Sequence, residues 1–170
     1  MVALVIRTFK FLLLAYLVTF SQTILSNLTS ILGIAPNFGT IIILLIALRT
    51  EYQIALPTSF AVALIIDALS PETLGLGTAV RFAIAVAVSE IRQHIDIEQL
   101  PAQMYLLIGS EVCFQTLFQA LANSFDFGTL SKIYLEVSLP TLVYTVVVGF
   151  VVLAMADLEF KIEIKRRGLG

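Results

Sequence analysis

The sequence predicts an all-α integral membrane protein, a six-helix transmembrane bundle, on three observations. Its 170 residues are 59% hydrophobic and 13% charged with a mean hydropathy of +1.00, which leaves too little polar surface for a water-soluble domain of this size. Six apolar stretches occupy most of residues 11–156. Nearly every cation avoids these stretches and falls on alternate connections: Arg7, Lys10, Arg49, Arg92, Lys161, Lys165, Arg166 and Arg167 share one side of the expected bilayer, and Lys132 lies on the other. Because cationic segments resist translocation, the crowded side is expected to be cytoplasmic, with both termini there. Residues 1–170 then form a single transmembrane domain, with 157–170 as a cytoplasmic tail.

Each span follows from length, Pro, Gly and charge. The first, about 11–32, is long enough at 1.5 Å per residue to cross a hydrocarbon core of about 30 Å, and no small-residue cleavage pattern follows it, so it reads as retained. Pro36 restarts the chain. The second, 38–48, amounts to only about 16 Å of helix, so either the bilayer is locally thin or this backbone stays at membrane depth inside protein or beside a cavity. Arg49, Thr50 and Glu51 turn it back. The third, 53–69, is ended by Ser70 and Pro71, and the fourth runs over 74–89. A polar connection, 90–100, leads to the fifth span, 101–123, which opens on Pro101 where a missing N–H costs nothing. The sixth is 132–156.

Several function classes are excluded at this level. A net charge of −2 is too small to imply nucleic acid, and the single cysteine, Cys113, lies mid-span where it reads as a packing residue. His94 is the sole histidine and has no second ligand for a metal, so it reads as a solvated loop residue. Gly75-Leu76-Gly77 lacks the lysine of a phosphate loop, and Asp96 and Glu98 share only a short connection. No cofactor, metal or enzymatic activity is expected.

Three charges fall within spans: Asp67, Arg81 and Glu111. Each costs about 2.5–3.5 kcal/mol at the bilayer centre on insertion scales, so they should face protein and have partners. The tight turn at 70–73 makes the third and fourth spans antiparallel neighbours, which predicts an Asp67–Arg81 pair, with Glu111 competing for the same guanidinium. Glu111, Gln115 and Gln119 recur at four-residue spacing and line one stripe, and Gln22 adds an amide in the same outer half. This stripe either borders a polar cavity suited to a small solute or serves as interhelical hydrogen-bonding glue. Ala79, Ala83 and Ala87 form a small-residue stripe on the face opposite Arg81, which predicts close approach of another helix and burial of the fourth span on two sides. Phe125 and Phe127, flanking Asp126 in the outer connection, suit headgroups or a partner protein. After the sixth span, Leu158, Phe160, Ile162 and Ile164 alternate with charges, the period of a strand; a helical extension with Asp157–Lys161 and Glu163–Arg167 pairs is the other reading.

The run Gln22-Thr23-Ile24-Leu25, then Ile31-Leu32-Gly33-Ile34-Ala35-Pro36-Asn37 and a short apolar span ending in Ala47-Leu48-Arg49, resembles the N-terminal half of the rod shape-determining MreD family. Ser59 to Ser70, with Asp67 inside it, followed by Leu74-Gly75-Leu76, is similar to the family pattern of Gly-Phe, Gly-Leu, Asp and Leu-Gly. Asn37 stands where the family commonly has Asp, and Ser59 and Ala63 replace its usual glycines; the match covers about residues 22–77. The resemblance implies a non-enzymatic inner-membrane scaffold or regulatory subunit of the bacterial cell-elongation complex, which supports lateral peptidoglycan synthesis and cell shape. Its implied partner is MreC, and less directly the MreB filament and the peptidoglycan glycosyltransferase and transpeptidase pair. The family is also similar in fold to the substrate-binding subunits of energy-coupling-factor transporters, so the alternative expectation is a vitamin-binding subunit coupled to an ATPase. The two part in the outer polar stripe: a scaffold keeps its partner when Glu111 and Gln115 are made apolar, and a solute binder loses its ligand.

Overall fold

A computed structural model describes residues 34–69, 75–95, 97, 99–122 and 132–167 together with Phe20, Ile24, Leu28 and Ser30; for 158–167 it describes the backbone alone. Most of the expected first span, Gln22, the turn at 70–73, Asp96, Glu98, Phe125 and Phe127 lie outside the described residues. Among the described residues the regular structure is helical: α1 (Phe38–Arg49), α2 (Tyr52–Ala68), α3 (Leu76–His94), α4 (Leu100–Ala122) and α5 (Leu139–Arg167), the last preceded by a π-helical turn at Tyr134–Ser138. Two helical segments, Leu100–Ala122 and Tyr134–Asp157, are long and apolar enough to cross a membrane. They expose Leu117, Val143, Val147, Val151 and Met155, an apolar surface ill suited to water.

The caps are local. Asn37 ends the extended entry to α1, and its side chain accepts the Thr40 N–H at 3.3 Å, an N-cap bond. Pro57 lies in the second turn of α2, where it withholds the N–H that the Gln53 carbonyl would otherwise receive. Gly75, with φ of 94°, takes the left-handed conformation needed to enter α3. Pro140 likewise cannot donate to the Glu136 carbonyl, and the wider turn at Tyr134–Ser138 sits across that missing bond.

Helix α1 occupies the centre and touches all four other described helices. Nine of its 12 residues are buried, so it needs to be apolar all round rather than on one stripe. Ile41, Leu44, Ala47 and Leu48 meet Val80, Ile84 and Val88 of α3, Leu107 and Phe114 of α4 and Leu153 of α5 in one core. Ile43 and Ile46 join Ala55, Val62 and Ile66 of α2 in a second. Gly149 lets α5 close on α4, since a Cβ there would collide with Leu107. Phe60 and Phe82 lock α2 to α3 edge to face, with centroids 5.4 Å apart.

Helix α1 also starts at half height. The backbone N–H of Asn37 donates to Thr145 Oγ1 at 2.8 Å, and its side chain reaches Glu111. Glu111 is the twelfth of 23 residues in α4, and Thr145 the twelfth of 24 in Tyr134–Asp157. The cap of α1 therefore meets the midpoints of both long apolar segments, and its own length, about 18 Å, covers the remaining half.

Some expectations are corrected. Helix α3 continues past Ser89 to His94, because Glu90, Arg92 and Gln93 are good helix formers and lie exposed on its last turns. His94 is accordingly helical, its Nδ1 3.0 Å from the Glu90 carbonyl oxygen. Beyond Asp157 the chain remains helical to Arg167: an established helix extends more cheaply than an unpartnered strand forms. Cys113 is exposed on α4 rather than packed. Ala79, Ala83 and Ala87 are exposed, so α3 is buried on the Arg81 side and bare on the alanine side.

Candidate functional site

Five helices bring polar side chains to one buried cluster around the start of α1. Near the end of α2, Asp67 is 2% exposed and directs both oxygens at α3. Its Oδ2 accepts the Gly75 N–H at 2.7 Å, the Thr78 N–H at 3.0 Å and the Thr78 hydroxyl at 3.0 Å. These are donors of the first turn of α3, so Asp67 caps that helix from across the turn, where a carboxylate also meets the positive end of the helix dipole. Its Oδ1 stands 3.5 Å from Arg81 Nη1, long for a charge-assisted hydrogen bond, and the pair is held mainly by charge.

Gly77 makes that pairing possible. A Cβ at this position would overlap Asp67 Oδ1 and lie 2.7 Å from Arg81 Nη1, so only glycine lets carboxylate and guanidinium meet against the backbone. Gly39 gives a second clearance: a Cβ there would lie 3.1 Å from Arg81 Nε and 3.0 Å from Ile66 Cδ1. The guanidinium then spreads over the Phe114 ring, 4.5 Å from its centroid, a cation–π contact on the side away from Asp67's helix. Arg81 Nε is buried without a hydrogen bond.

Glu111 is fully buried and accepts from two helices. Gln115 Nε2 donates to its Oε1 at 2.8 Å from one turn along α4, and Asn37 Nδ2 donates to Oε1 and Oε2 at 3.3 and 3.2 Å from the cap of α1. Arg81 lies close enough to interact electrostatically with Glu111 as well as with Asp67. Thr145 completes the set, accepting from Asn37 N and donating to the Thr141 carbonyl at 2.7 Å. One guanidinium faces two carboxylates, and the partial positive charges at the starts of α1 and α3 offset the surplus.

The structure thus joins Asp67, Arg81, Glu111 and Gln115 in one cluster, while Gln119, a turn beyond, is half-buried. Gln22, Phe125 and Phe127 fall outside the described residues, and Ala79, Ala83 and Ala87 lie on the opposite face of α3. On this stripe of α4, Glu111 accepts across helices from Asn37, and Gln115 donates to Glu111 within the helix. Sequence reasoning passed over Asn37 as a cap, although an Asn between Pro36 and an apolar run is a helix-start signal. It also passed over Thr78 and Gly77; a Thr in the first turn after a Gly-rich entry, with an Asp shortly before the turn, was the available sign. Thr145 carried no signal, because its partner is 108 residues away. Among the described residues no three His, Cys, Asp or Glu side chains are grouped to hold a metal ion. No protein-family model, curated protein or solved structure matches this chain.

Proposed function

We propose that this chain is a non-enzymatic scaffold or regulatory subunit of the bacterial cell-elongation complex, a member of the MreD group that binds the single membrane helix of MreC. In this reading it crosses the inner membrane six times, α1 being the second and shortest crossing element, with both termini cytoplasmic. The MreB filament and the peptidoglycan glycosyltransferase and transpeptidase pair are reached through that partner.

One observation carries the reading. Asp67 and Gly75 of the resembling segment, and Asn37 at a position where the family commonly has Asp, take part in the buried cluster: Gly75 donates to Asp67 and Asn37 to Glu111. Such a cluster is suited to pinning helices, and the exposed alanine stripe of α3 is a surface on which a second helix can approach closely.

The vitamin-binding alternative draws on a different detail, the Arg81 Nε that is buried with no hydrogen bond, a donor that a solute carboxylate would satisfy. Replacing Glu111 and Gln115 no longer separates the two readings, because Glu111 also fixes the cap of α1. Ala83→Leu does. It blocks the bare face and leaves the cluster intact, so affinity purification in mild detergent should lose a single-span partner with a periplasmic coiled coil. Recovery of ATPase subunits with a bound vitamin, undiminished by Ala83→Leu, overturns the scaffold reading.

A further inference from the structure

At the end of the bundle away from the ionic cluster, α1, α2 and α3 leave a recess of about 230 Å³, lined in part by Thr50, Glu51, Tyr52, Ser89, Arg92 and Gln93. Its chemistry is unlike that of the cluster, because several of its polar groups are unused. Ser89 is 4% exposed and its hydroxyl has no hydrogen bond, an arrangement that costs about 1–3 kcal/mol unless something reaches it. Glu51 stands at the N-cap of α2, makes no side-chain cap bond and lines the recess. Arg92 donates to the Ala47 carbonyl at 3.2 Å and the Thr50 carbonyl at 2.6 Å, closing the end of α1. Both bonds come from Nη1, which leaves Nη2 directed elsewhere.

A cation and an anion on the rim, a hydroxyl in the floor and Tyr52 at the edge describe a site for a small zwitterion rather than for a net charge. We propose that this recess binds the phosphoethanolamine headgroup of a phospholipid. The phosphate lies against the free side of the Arg92 guanidinium and accepts from the Ser89 hydroxyl, and the primary ammonium donates to Glu51. The volume is below the roughly 300–1,000 Å³ of drug-sized pockets, which suits a headgroup whose acyl chains stay in the bilayer. Arg49 ends α1 beside the recess, and Tyr52 is of the type that gathers at headgroup depth. Arg92 thereby serves two ends at once, fastening α1 and presenting a phosphate site.

This assignment rests on the membrane reading above, and the test separates the two. The full chain, purified in mild detergent, is offered equal amounts of phosphatidylethanolamine, phosphatidylcholine and phosphatidylglycerol, and retained lipid is read by native mass spectrometry. Phosphatidylethanolamine should be retained about tenfold over the other two, since the trimethylated head has no N–H to give Glu51 and the glycerol head has no cation. Glu51→Gln, an exposed change that spares the fold, should abolish the preference. Ser89→Ala should reduce retention of all three. Displacement by free ethanolamine phosphate at concentrations that leave the other lipids untouched would assign the site to a soluble metabolite instead. Unchanged preference in Glu51→Gln, or variants that weaken recovery of a protein partner while lipid retention stays constant, overturns the assignment. A chain that remains dispersed in water without detergent defeats the membrane reading itself, whereas a detergent-dependent chain with no headgroup preference defeats this inference alone.

Discussion

The two ends of α3 hold their charges in opposite ways. At its start, Asp67, Arg81 and Glu111 are buried, and the carboxylates are satisfied by the fold's own donors. At its end, Glu51 and Arg92 are exposed and the Ser89 hydroxyl is buried without a partner. The difference separates charges that define the fold from charges that remain available to a ligand. Removing one member of the first set leaves the others buried without their partner, while a change in the second set costs the fold less.

The most damaging change should be Gly77→Val. It combines an overpacked interface, about 1–3 kcal/mol, with a broken buried pair, about 3–5 kcal/mol, and should leave no monodisperse protein on gel filtration in detergent. Asp67→Ala follows at about 3–5 kcal/mol, read as a lowered midpoint of unfolding in detergent; adding Arg81→Met should recover part of the loss, because no unpaired charge is then left inside. Asn37→Ala removes a helix cap and two bonds to Glu111, and should cost about 1–2 kcal/mol by the same measurement. Arg92→Gln, at the exposed end, should cost about 0.5–1.5 kcal/mol through the carbonyls of α1 that it leaves uncapped. Ala83→Leu should change stability by less than about 0.5 kcal/mol while abolishing partner recovery. If Arg92→Gln proved as damaging as Asp67→Ala, the contrast between the two ends would collapse.

Helix positions were legible where the chain is punctuated. Pro36 with Asn37, the Arg49-Thr50-Glu51 turn, Gly75 and Pro101 each stand within a residue or two of an observed boundary. The last turns of α3 were not, because exposed charges that continue a helix look the same in sequence as a solvated connection. The alternation after Asp157 left strand and helical extension both open, and the helix is the one observed, since period alone does not register the helix already running into it. In the site, Asp67 and Arg81 were visible as charges in an apolar setting. The closer bonds of Asp67 were signalled only weakly, by Thr78 in the first turn after Gly75 and Gly77, because the backbone N–H groups themselves carry no mark in sequence. The role of Glu111 depended on Asn37, 74 residues earlier, and on the half-height start of α1 that only the three-dimensional arrangement reveals.

That half-height start bears on how the protein is made. Translation delivers α1 early, yet the groups that accept from its cap, Glu111 and Thr145, emerge only after another 74 and 108 residues. A helix of 12 residues has little stability of its own, so the cap of α1 is completed only when α4 and α5 arrive. Truncation before Thr145 should therefore leave α1 poorly protected, cut by proteases at a site that the full-length product never offers.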